Sequence, residues 1–276
     1  MNRPDSSNQP TALVTGASRG IGRAVAIGLA DAGFDVAITA RTVHEGDPTA
    51  VEPDTGVPLA GSLASTASAV ASRGRRAVPV RLDLLDLDSL DAAVDEAILG
   101  LGHLDVLVNN AIYVGPGANR RFLETEPDDL ARRVSGNVTA QLLITHRAVA
   151  HMVGRGEGLV VDITSAAGQL TPHRPVGEGG WPLAYAVTKA GFHRIADMLA
   201  LEYGDAGVRA FNLNPGFVAT ERVRAADALA FVADRGVAPE VVGRVVAWFV
   251  TTGQHRSENG SYHQVADLAR ELGFLS

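Results

Sequence analysis

A run of glycines near the start of the chain constrains the fold more than any other sequence feature. The segment TGASRGIG, residues 15–22, follows a short apolar run at 12–15 and opens an apolar-periodic stretch at 21–32. A strand, a glycine turn and a helix in this order present unpaired backbone N–H groups to an anion, with no Cβ atoms in the way. We predict that this turn binds the pyrophosphate of a dinucleotide, with an ordinary glycine-rich turn as the alternative. The predicted contacts are Gly16, Ser18, Arg19, Gly20, Ile21 and Gly22.

The rest of the chain repeats the alternation of short apolar runs and longer amphipathic stretches. This rhythm is typical of a parallel sheet with helices on both faces. We therefore predict an α/β fold, a Rossmann-type doubly wound parallel sheet in three α/β/α layers. The predicted strands cover residues 12–15, 35–40, 77–82, 106–109, 159–163 and 209–213, with a seventh at 261–265. The predicted helices cover residues 21–32, 89–99, 128–152, 184–203, 225–235 and 240–251.

Two segments interrupt this alternation. Residues 42–60 hold three prolines and show little periodicity, which predicts a long loop after the second strand. Residues 168–182 are rich in Pro and Gly and lie between a predicted strand and a predicted helix. Ligands of such sheets bind at that place, so this second segment is a candidate lid. Residues 1–11 are predicted as a flexible tail and residues 12–276 as one domain.

Composition limits the classes of partner. Of the 276 residues, 46% are hydrophobic, and 24 basic against 31 acidic residues give a net charge of −7. An acidic chain has no general attraction to nucleic acid or to anionic membranes. The absence of cysteine excludes disulfides and thiol catalysis, and no apolar run reaches the roughly 18 residues of a membrane span. We expect a soluble, cytoplasmic protein that acts on a small molecule.

The end of the second predicted strand indicates which dinucleotide binds. A carboxylate there binds the ribose 2′-OH of NAD, but this chain has Ala40 followed by Arg41. Arg41 and Arg19 together suit a forked clamp around a 2′-phosphate, which predicts NADP, with NAD as the alternative coenzyme. Two solvated surface arginines are the other interpretation. Asp83 follows the third strand and is a candidate acceptor for the adenine amino group.

A phenol and an ammonium group stand four residues apart in the predicted helix at 184–203. Tyr185 and Lys189 therefore share one helix face. A nearby cation favours the phenolate and so lowers the pKa of the tyrosine, which makes proton transfer easier. We expect Lys189 to supply that positive charge. Ser165 ends the fifth strand region at the carboxyl edge of the sheet, where its hydroxyl is placed to hold a carbonyl oxygen.

Together these residues resemble the short-chain dehydrogenase/reductase family of the TGxxxGxG and YxxxK type. The resemblance spans residues 11–220 and adds Asn-Asn-Ala at 109–111, Asn137, and Asn-Pro-Gly at 214–216. It implies an NADP(H)-dependent enzyme that interconverts a carbonyl and a secondary alcohol, and a homodimer or homotetramer. The catalytic set that it implies is Asn137, Ser165, Tyr185 and Lys189, with Tyr185 as general acid/base and Asn137 holding a water in a proton relay. The further coenzyme contacts that it implies are Asn109, Ala111, Tyr185, Lys189, Pro215, Gly216, Val218 and Thr220.

This chain departs from the family pattern at two places near the site. Ile112 stands where the family usually has Gly after Asn-Asn-Ala, which predicts a displaced coenzyme loop. Ser165 and Tyr185 lie 20 residues apart, more than is common in the family.

A redox-sensing regulator that keeps the nucleotide pocket without catalysis is the alternative function, and an epimerase or dehydratase on the same sheet is a third. No third ligand accompanies His146 and His151, so no metal is expected.

Overall fold

The computed structural model describes residues 9–275, and within them the chain forms a parallel sheet of seven strands in the order β3-β2-β1-β4-β5-β6-β7. This confirms the predicted doubly wound fold. Residues 1–8 of the predicted tail lie outside the described residues, and the first strand begins at Thr11, inside the range predicted as tail. The strands are β1 Thr11–Thr15, β2 Asp35–Ala40, β3 Ala77–Arg81, β4 Val106–Asn109, β5 Gly158–Ile163, β6 Val208–Asn214 and β7 Tyr262–Gln264.

Helices cover both faces of the sheet and enclose one apolar core on each side. The helices are α1 Gly20–Asp31, α2 Leu63–Ala71, α3 Leu90–Leu101, α4 Pro127–Val134, α5 Ala140–Arg155, α6 Leu183–Tyr203, α7 Glu221–Ala225, α8 Ala230–Arg235, α9 Pro239–Thr251 and α10 Val265–Glu271. Helices α1, α2, α9 and α10 pack on one face, and α3, α5 and α6 pack on the other. Because both faces are covered, β1 and β2 are buried along their whole length, which explains their apolar composition.

Two helix predictions are wrong, because the structure divides each of these segments into two helices. The helix predicted over residues 128–152 is broken into α4 and α5 by a π-helical turn at Ser135–Thr139, which inserts an extra residue into the helix. The helix predicted over residues 225–235 is the separate pair α7 and α8, with a 3-10 turn at Asp227–Leu229 between them.

Two helices were not predicted at all. Helix α2 follows the long loop and begins with a capping box, in which the Ser62 side chain accepts from the Ser65 backbone N–H. Helix α10 follows directly on β7, which is shorter than the predicted strand at 261–265.

The strand order decides where a ligand can bind. Strand β1 pairs with β2 on one side and with β4 on the other, so the chain changes winding direction between β1 and β4. The crevice at the carboxyl ends of these strands is the usual ligand site of such sheets. None of the helices described in residues 9–275 is long and apolar enough to cross a membrane.

Candidate active site

The glycine turn between β1 and α1 has the geometry of an anion cradle. Gly16 and Gly20 have φ values of 68° and 55°, in the left-handed region that favours glycine. A Cβ on Gly22 would lie 2.3 Å from the Gly16 carbonyl oxygen, so only glycine allows the helix to approach the turn this closely. Helix α1 begins at Gly20, and no side chain caps its first backbone N–H groups. Ser18 is buried in the turn and Ile21 is half-buried. These residues fit a dinucleotide pyrophosphate.

The Arg19 guanidinium donates to the carbonyl oxygens of Ala60 and Gly61, at 2.8 and 2.7 Å. These contacts tie the long loop after β2 to the glycine turn. The arginine clamp around a 2′-phosphate stays a prediction. Arg41 is exposed beside this loop, and Ala40 places no carboxylate at the end of β2. Asp83, after β3, accepts from the Leu85 backbone N–H at 3.1 Å.

The loop predicted at residues 42–60 crosses the crevice and is attached on its far side. Asp54 Oδ1 accepts from the Gly117 backbone N–H at 2.7 Å, and Thr55 Oγ1 donates to the Ala225 carbonyl oxygen at 3.1 Å. Glu52 is 3% exposed, and its Oε2 accepts from the backbone N–H groups of residues 54 and 55. The loop therefore brings a buried carboxylate to the crevice, which the sequence analysis missed.

The Asn-Asn-Ala segment after β4 is held by hydrogen bonds on both sides. Asn109 Nδ2 donates to Thr145 Oγ1 and to Asp162 Oδ1, at 2.8 and 2.9 Å. The Ala111 backbone N–H donates to Thr15 Oγ1 at 3.0 Å, next to Gly16. No non-glycine residue within 9–275 has a positive φ, so Ile112 occupies the usual glycine position without backbone strain.

Asn137 lies in the π-helical turn between α4 and α5. Its side chain accepts from the Tyr113 backbone N–H at 2.7 Å and donates to the Tyr113 carbonyl oxygen at 2.9 Å. A cavity of about 10 Å³, near the volume that one water requires, is bordered by Asn137, Gln141 and Lys189. Gln141 Oε1 is buried without a hydrogen-bond partner in the described part of the chain, so it can accept from a water there. Gln141 is a second residue that the sequence analysis missed.

Lys189 points from α6 toward the end of β5. Its Nζ donates to the Ile163 carbonyl oxygen at 2.8 Å and lies 4.8 Å from the centre of the Phe192 ring. Burial lowers the pKa of Lys189 to about 8, and the negative charge of Asp162 opposes that shift. Burial likewise raises the pKa of Asp162 to about 7, against the Asn109 hydrogen bond and the charge of Lys189.

The structure brings Tyr185 and Ser165 together despite their distance in sequence. Burial raises the pKa of Tyr185 above its ordinary value, while a hydrogen bond from Ser165 and the positive charge of Arg222 both oppose the increase. Ser165 Oγ also accepts from the Ala167 backbone N–H at 3.2 Å, which orients its side chain. The expectation that Lys189 supplies the charge on this phenol stays a prediction, and Arg222 of α7 is a further positive charge that lowers the pKa of Tyr185.

The segment after β6 forms the remaining wall of the crevice. Gly216 has a φ of 69°, and its backbone N–H donates to Asn214 Oδ1 at 3.1 Å, next to the buried Pro215. Val218 is buried and bridges to Val237. Thr220 caps α7 by accepting from the Val223 backbone N–H at 3.3 Å. The Thr220 side chain also packs against Gly20, so this wall meets the glycine turn.

The candidate lid at residues 168–182 follows Ser165. Arg121, in the loop after β4, pairs with Glu178 of the lid at 3.6 Å. Both side chains are exposed, so this ion pair contributes little to stability.

Comparison with known proteins gives matches along most of the chain. A model of the short chain dehydrogenase family matches residues 10–56 and 57–228. Gluconate 5-dehydrogenase of Gluconobacter oxydans is 31% identical over 278 aligned positions, covering 100% of this chain and 91% of that protein. The 3-oxoacyl-[acyl-carrier protein] reductase of Brucella melitensis, solved in complex with NAD, is 25% identical with a TM-score of 0.74, covering 94% of this chain and 96% of that one. Carveol dehydrogenase of Mycobacterium avium has the same fold, with a TM-score of 0.76 at 23% identity, covering 93% of this chain and 95% of that one.

Proposed function

The chain belongs to the short-chain dehydrogenase family, and from this membership we propose that it is an NADP(H)-dependent oxidoreductase that interconverts a carbonyl compound and a secondary alcohol. The observation that carries the proposal is the glycine cradle at the start of α1, which fits a dinucleotide and adjoins the carboxyl edge of the sheet. At that edge Ser165 follows β5, and Lys189, one helical turn after Tyr185 on α6, donates from Nζ to the Ile163 carbonyl oxygen at 2.8 Å.

Each residue of the crevice has a role that follows from its position. When it is bound, the coenzyme supplies or accepts the hydride. The free N–H groups at the start of α1 hold the pyrophosphate. Ser165 and Tyr185 donate hydrogen bonds to the carbonyl oxygen and stabilise the charge that develops on it. Because burial raises the pKa of Tyr185, the phenol is protonated at neutral pH and is ready to donate its proton in the reducing direction.

A route for the proton leads from the crevice into the interior. The cavity bordered by Asn137, Gln141 and Lys189 has room for one water. We assign to this water, and to the Lys189 ammonium, the return of a proton to Tyr185. Lys189 suits this role because burial lowers its pKa to about 8, so it exchanges a proton more readily than an exposed lysine.

The preference for NADP rests on the end of β2. Ala40 offers no carboxylate to repel a 2′-phosphate, and the exposed Arg41 follows it. Arg19 also donates to the loop at residues 59–61, so Arg41 is the member of the predicted pair that can be substituted without releasing this loop. Arg41→Ser should raise the KM for NADPH about tenfold and leave that for NADH nearly unchanged. If Arg41→Ser raises the KM for both coenzymes equally, Arg41 does not bind the 2′-phosphate.

The central test compares Tyr185→Phe with the unmodified protein in a screen of carbonyl compounds followed by NADPH absorbance. The variant keeps the aromatic ring but lacks the proton, so we expect turnover to fall about 100-fold or more while NADPH binding, measured by fluorescence titration, persists. Full activity of this variant would refute the assignment.

The same screen separates the proposed enzyme from the redox-sensing regulator. The relatives compared above are named as dehydrogenases or a reductase, and nothing in those comparisons supports the regulator. A regulator would bind NADPH and reduce none of the compounds.

A cytoplasmic location, a single domain and a homodimeric or homotetrameric assembly remain predictions.

A further inference from the structure

His193 is a buried histidine of α6 that has no role in the mechanism proposed above. It is 8% exposed and follows Lys189 by one helical turn and Tyr185 by two, on the same side of the helix. This side meets the carboxyl end of β5, where Lys189 Nζ donates to the Ile163 carbonyl oxygen. The His193 carbonyl oxygen accepts from Asn212 Nδ2 of β6 at 2.9 Å, which fixes this part of α6 on the sheet.

Both nitrogens of the His193 ring have a partner in residues 164–169, the segment that carries Ser165 and that we call the serine turn. Nδ1 lies 3.3 Å from Thr164 Oγ1, and Nε2 lies 2.8 Å from Gln169 Nε2. In this orientation of the Gln169 amide its nitrogen donates and His193 Nε2 accepts, so the ring proton is on Nδ1 and is donated to Thr164. Burial lowers the pKa of His193, which favours this neutral ring at pH 7.

The two contacts stand at opposite ends of the serine turn. Inside the turn, Ser165 Oγ accepts from the Ala167 backbone N–H at 3.2 Å, and the Ser165 carbonyl oxygen accepts from the Gly168 backbone N–H at 3.0 Å. A Cβ on Gly168 would lie 2.6 Å from a backbone carbonyl oxygen of α6, so the turn packs directly on this helix. Because Thr164 precedes Ser165 and Gln169 ends the turn, one imidazole joins the two ends to α6.

We propose that His193 is a positioning residue, which holds the Ser165 hydroxyl at the place of the carbonyl oxygen by bridging the two ends of the serine turn. This inference rests on the proposed function. A donor must meet the oxygen in the transition state, so a displacement of about 1 Å lowers turnover strongly. The exposed part of the candidate lid begins at Gln169, so the same contact also fixes where the lid leaves the core.

The test is a double-mutant cycle between His193→Leu and Ser165→Ala, with a carbonyl compound that the unmodified enzyme reduces. His193→Leu removes both contacts of the ring and keeps an apolar side chain of similar volume. We expect it to lower kcat about tenfold, with little change in KM and with the same Kd for NADPH in a fluorescence titration. When Ser165→Ala is already present, His193→Leu should change kcat by less than about twofold, because the group that it positions is absent.

Two conservative variants separate the two contacts. The amide nitrogen of an asparagine takes the place of Nδ1, so His193→Asn keeps the donor to Thr164. The amide oxygen of a glutamine takes the place of Nε2, so His193→Gln keeps the acceptor for Gln169. Each variant should recover part of the kcat that His193→Leu loses. An imidazole that only filled space would be replaced best by leucine.

His151 of α5 is the matched control. It is also a partly buried imidazole that joins a helix to the sheet, since its Nε2 accepts from the Leu104 backbone N–H at 3.2 Å. Leu104 precedes β4, so this contact lies at the amino ends of the strands, away from Ser165. His151→Leu should therefore leave kcat nearly unchanged, with or without Ser165→Ala.

Hydrogen exchange gives a readout that needs no turnover. The backbone N–H groups of Ala167 and Gly168, which donate to Ser165, should exchange about tenfold faster in His193→Leu, while exchange in β1 stays the same.

A loss of kcat in His193→Leu that is equally large with and without Ser165→Ala would overturn the inference and leave the proposed function standing. Unchanged exchange in the serine turn would overturn it as well. Full activity of Ser165→Ala would overturn both the inference and the role of Ser165 in the proposed function. If the unmodified enzyme reduced no carbonyl compound, the proposed function itself would fail, and hydrogen exchange alone would decide whether His193 holds the turn.

Discussion

Asp162 is a buried carboxyl group whose ionisation should be visible in the stability of the protein. It is 0% exposed, and its Oδ1 accepts from Asn109 while Oδ2 has no hydrogen-bond partner in the described part of the chain. Burial raises the pKa of Asp162 from 3.8 to about 7. We predict that Asp162→Asn, which keeps the shape and removes the charge, stabilises the protein at high pH relative to low pH.

The size and sign of the effect follow from this pKa. Since the folded protein holds the Asp162 proton more tightly than the unfolded chain does, the free energy of unfolding falls as the pH rises from about 4 to about 7. A pKa difference of about 3, at about 1.4 kcal/mol for each pH unit, gives about 4 kcal/mol at most. The full loss of unfolding free energy caused by the ionised Asp162 is present above pH 7, and this loss is absent below pH 4. The attraction of the charged Lys189 to the ionised carboxylate reduces the gain from the substitution.

The assay is urea unfolding followed by circular dichroism, at pH 5 and pH 8 and at one fixed protein concentration. At each pH, the unfolding free energy of the unmodified protein is subtracted from that of Asp162→Asn. This difference should be about 2 to 4 kcal/mol larger at pH 8 than at pH 5. Asp88→Asn is the control, because Asp88 is exposed and its charge stays hydrated in the folded state. If the difference for Asp162→Asn is the same at both pH values, the argument from burial is wrong.

Two further predictions concern the glycine turn. Gly22→Ala places a methyl group 2.3 Å from the Gly16 carbonyl oxygen, so it should cost roughly 1–3 kcal/mol of unfolding free energy and weaken NADPH binding in a fluorescence titration. An unchanged NADPH affinity would contradict the cradle. Arg19→Gln removes the guanidinium that donates to the carbonyl oxygens of residues 60 and 61, so limited proteolysis should cut the loop at 42–60 faster. Equal cutting rates would mean that Arg19 does not anchor this loop.

Local sequence patterns were sufficient for most of the scaffold. Strands buried on both faces need continuous apolar runs, so the sequence predicts all six main strands within one residue at each end. The glycine positions in the first turn follow from backbone conformation and close approach, which only that residue type allows. Tyr185 and Lys189 share a face of α6 because helical spacing is a local property.

Tertiary structure decided which distant parts of the chain meet at the crevice. Asp54 of the long loop accepts from the Gly117 backbone N–H, 63 residues away in the sequence, and no local pattern predicts this contact. Arg19 binds carbonyl oxygens of a loop about 40 residues away, a contact that no local pattern predicts. The π-helical turn that positions Asn137 also depends on the fit of α4 and α5 to their neighbours. Propensity and periodicity describe contacts within a few residues, whereas these contacts arise only after the chain has closed on itself.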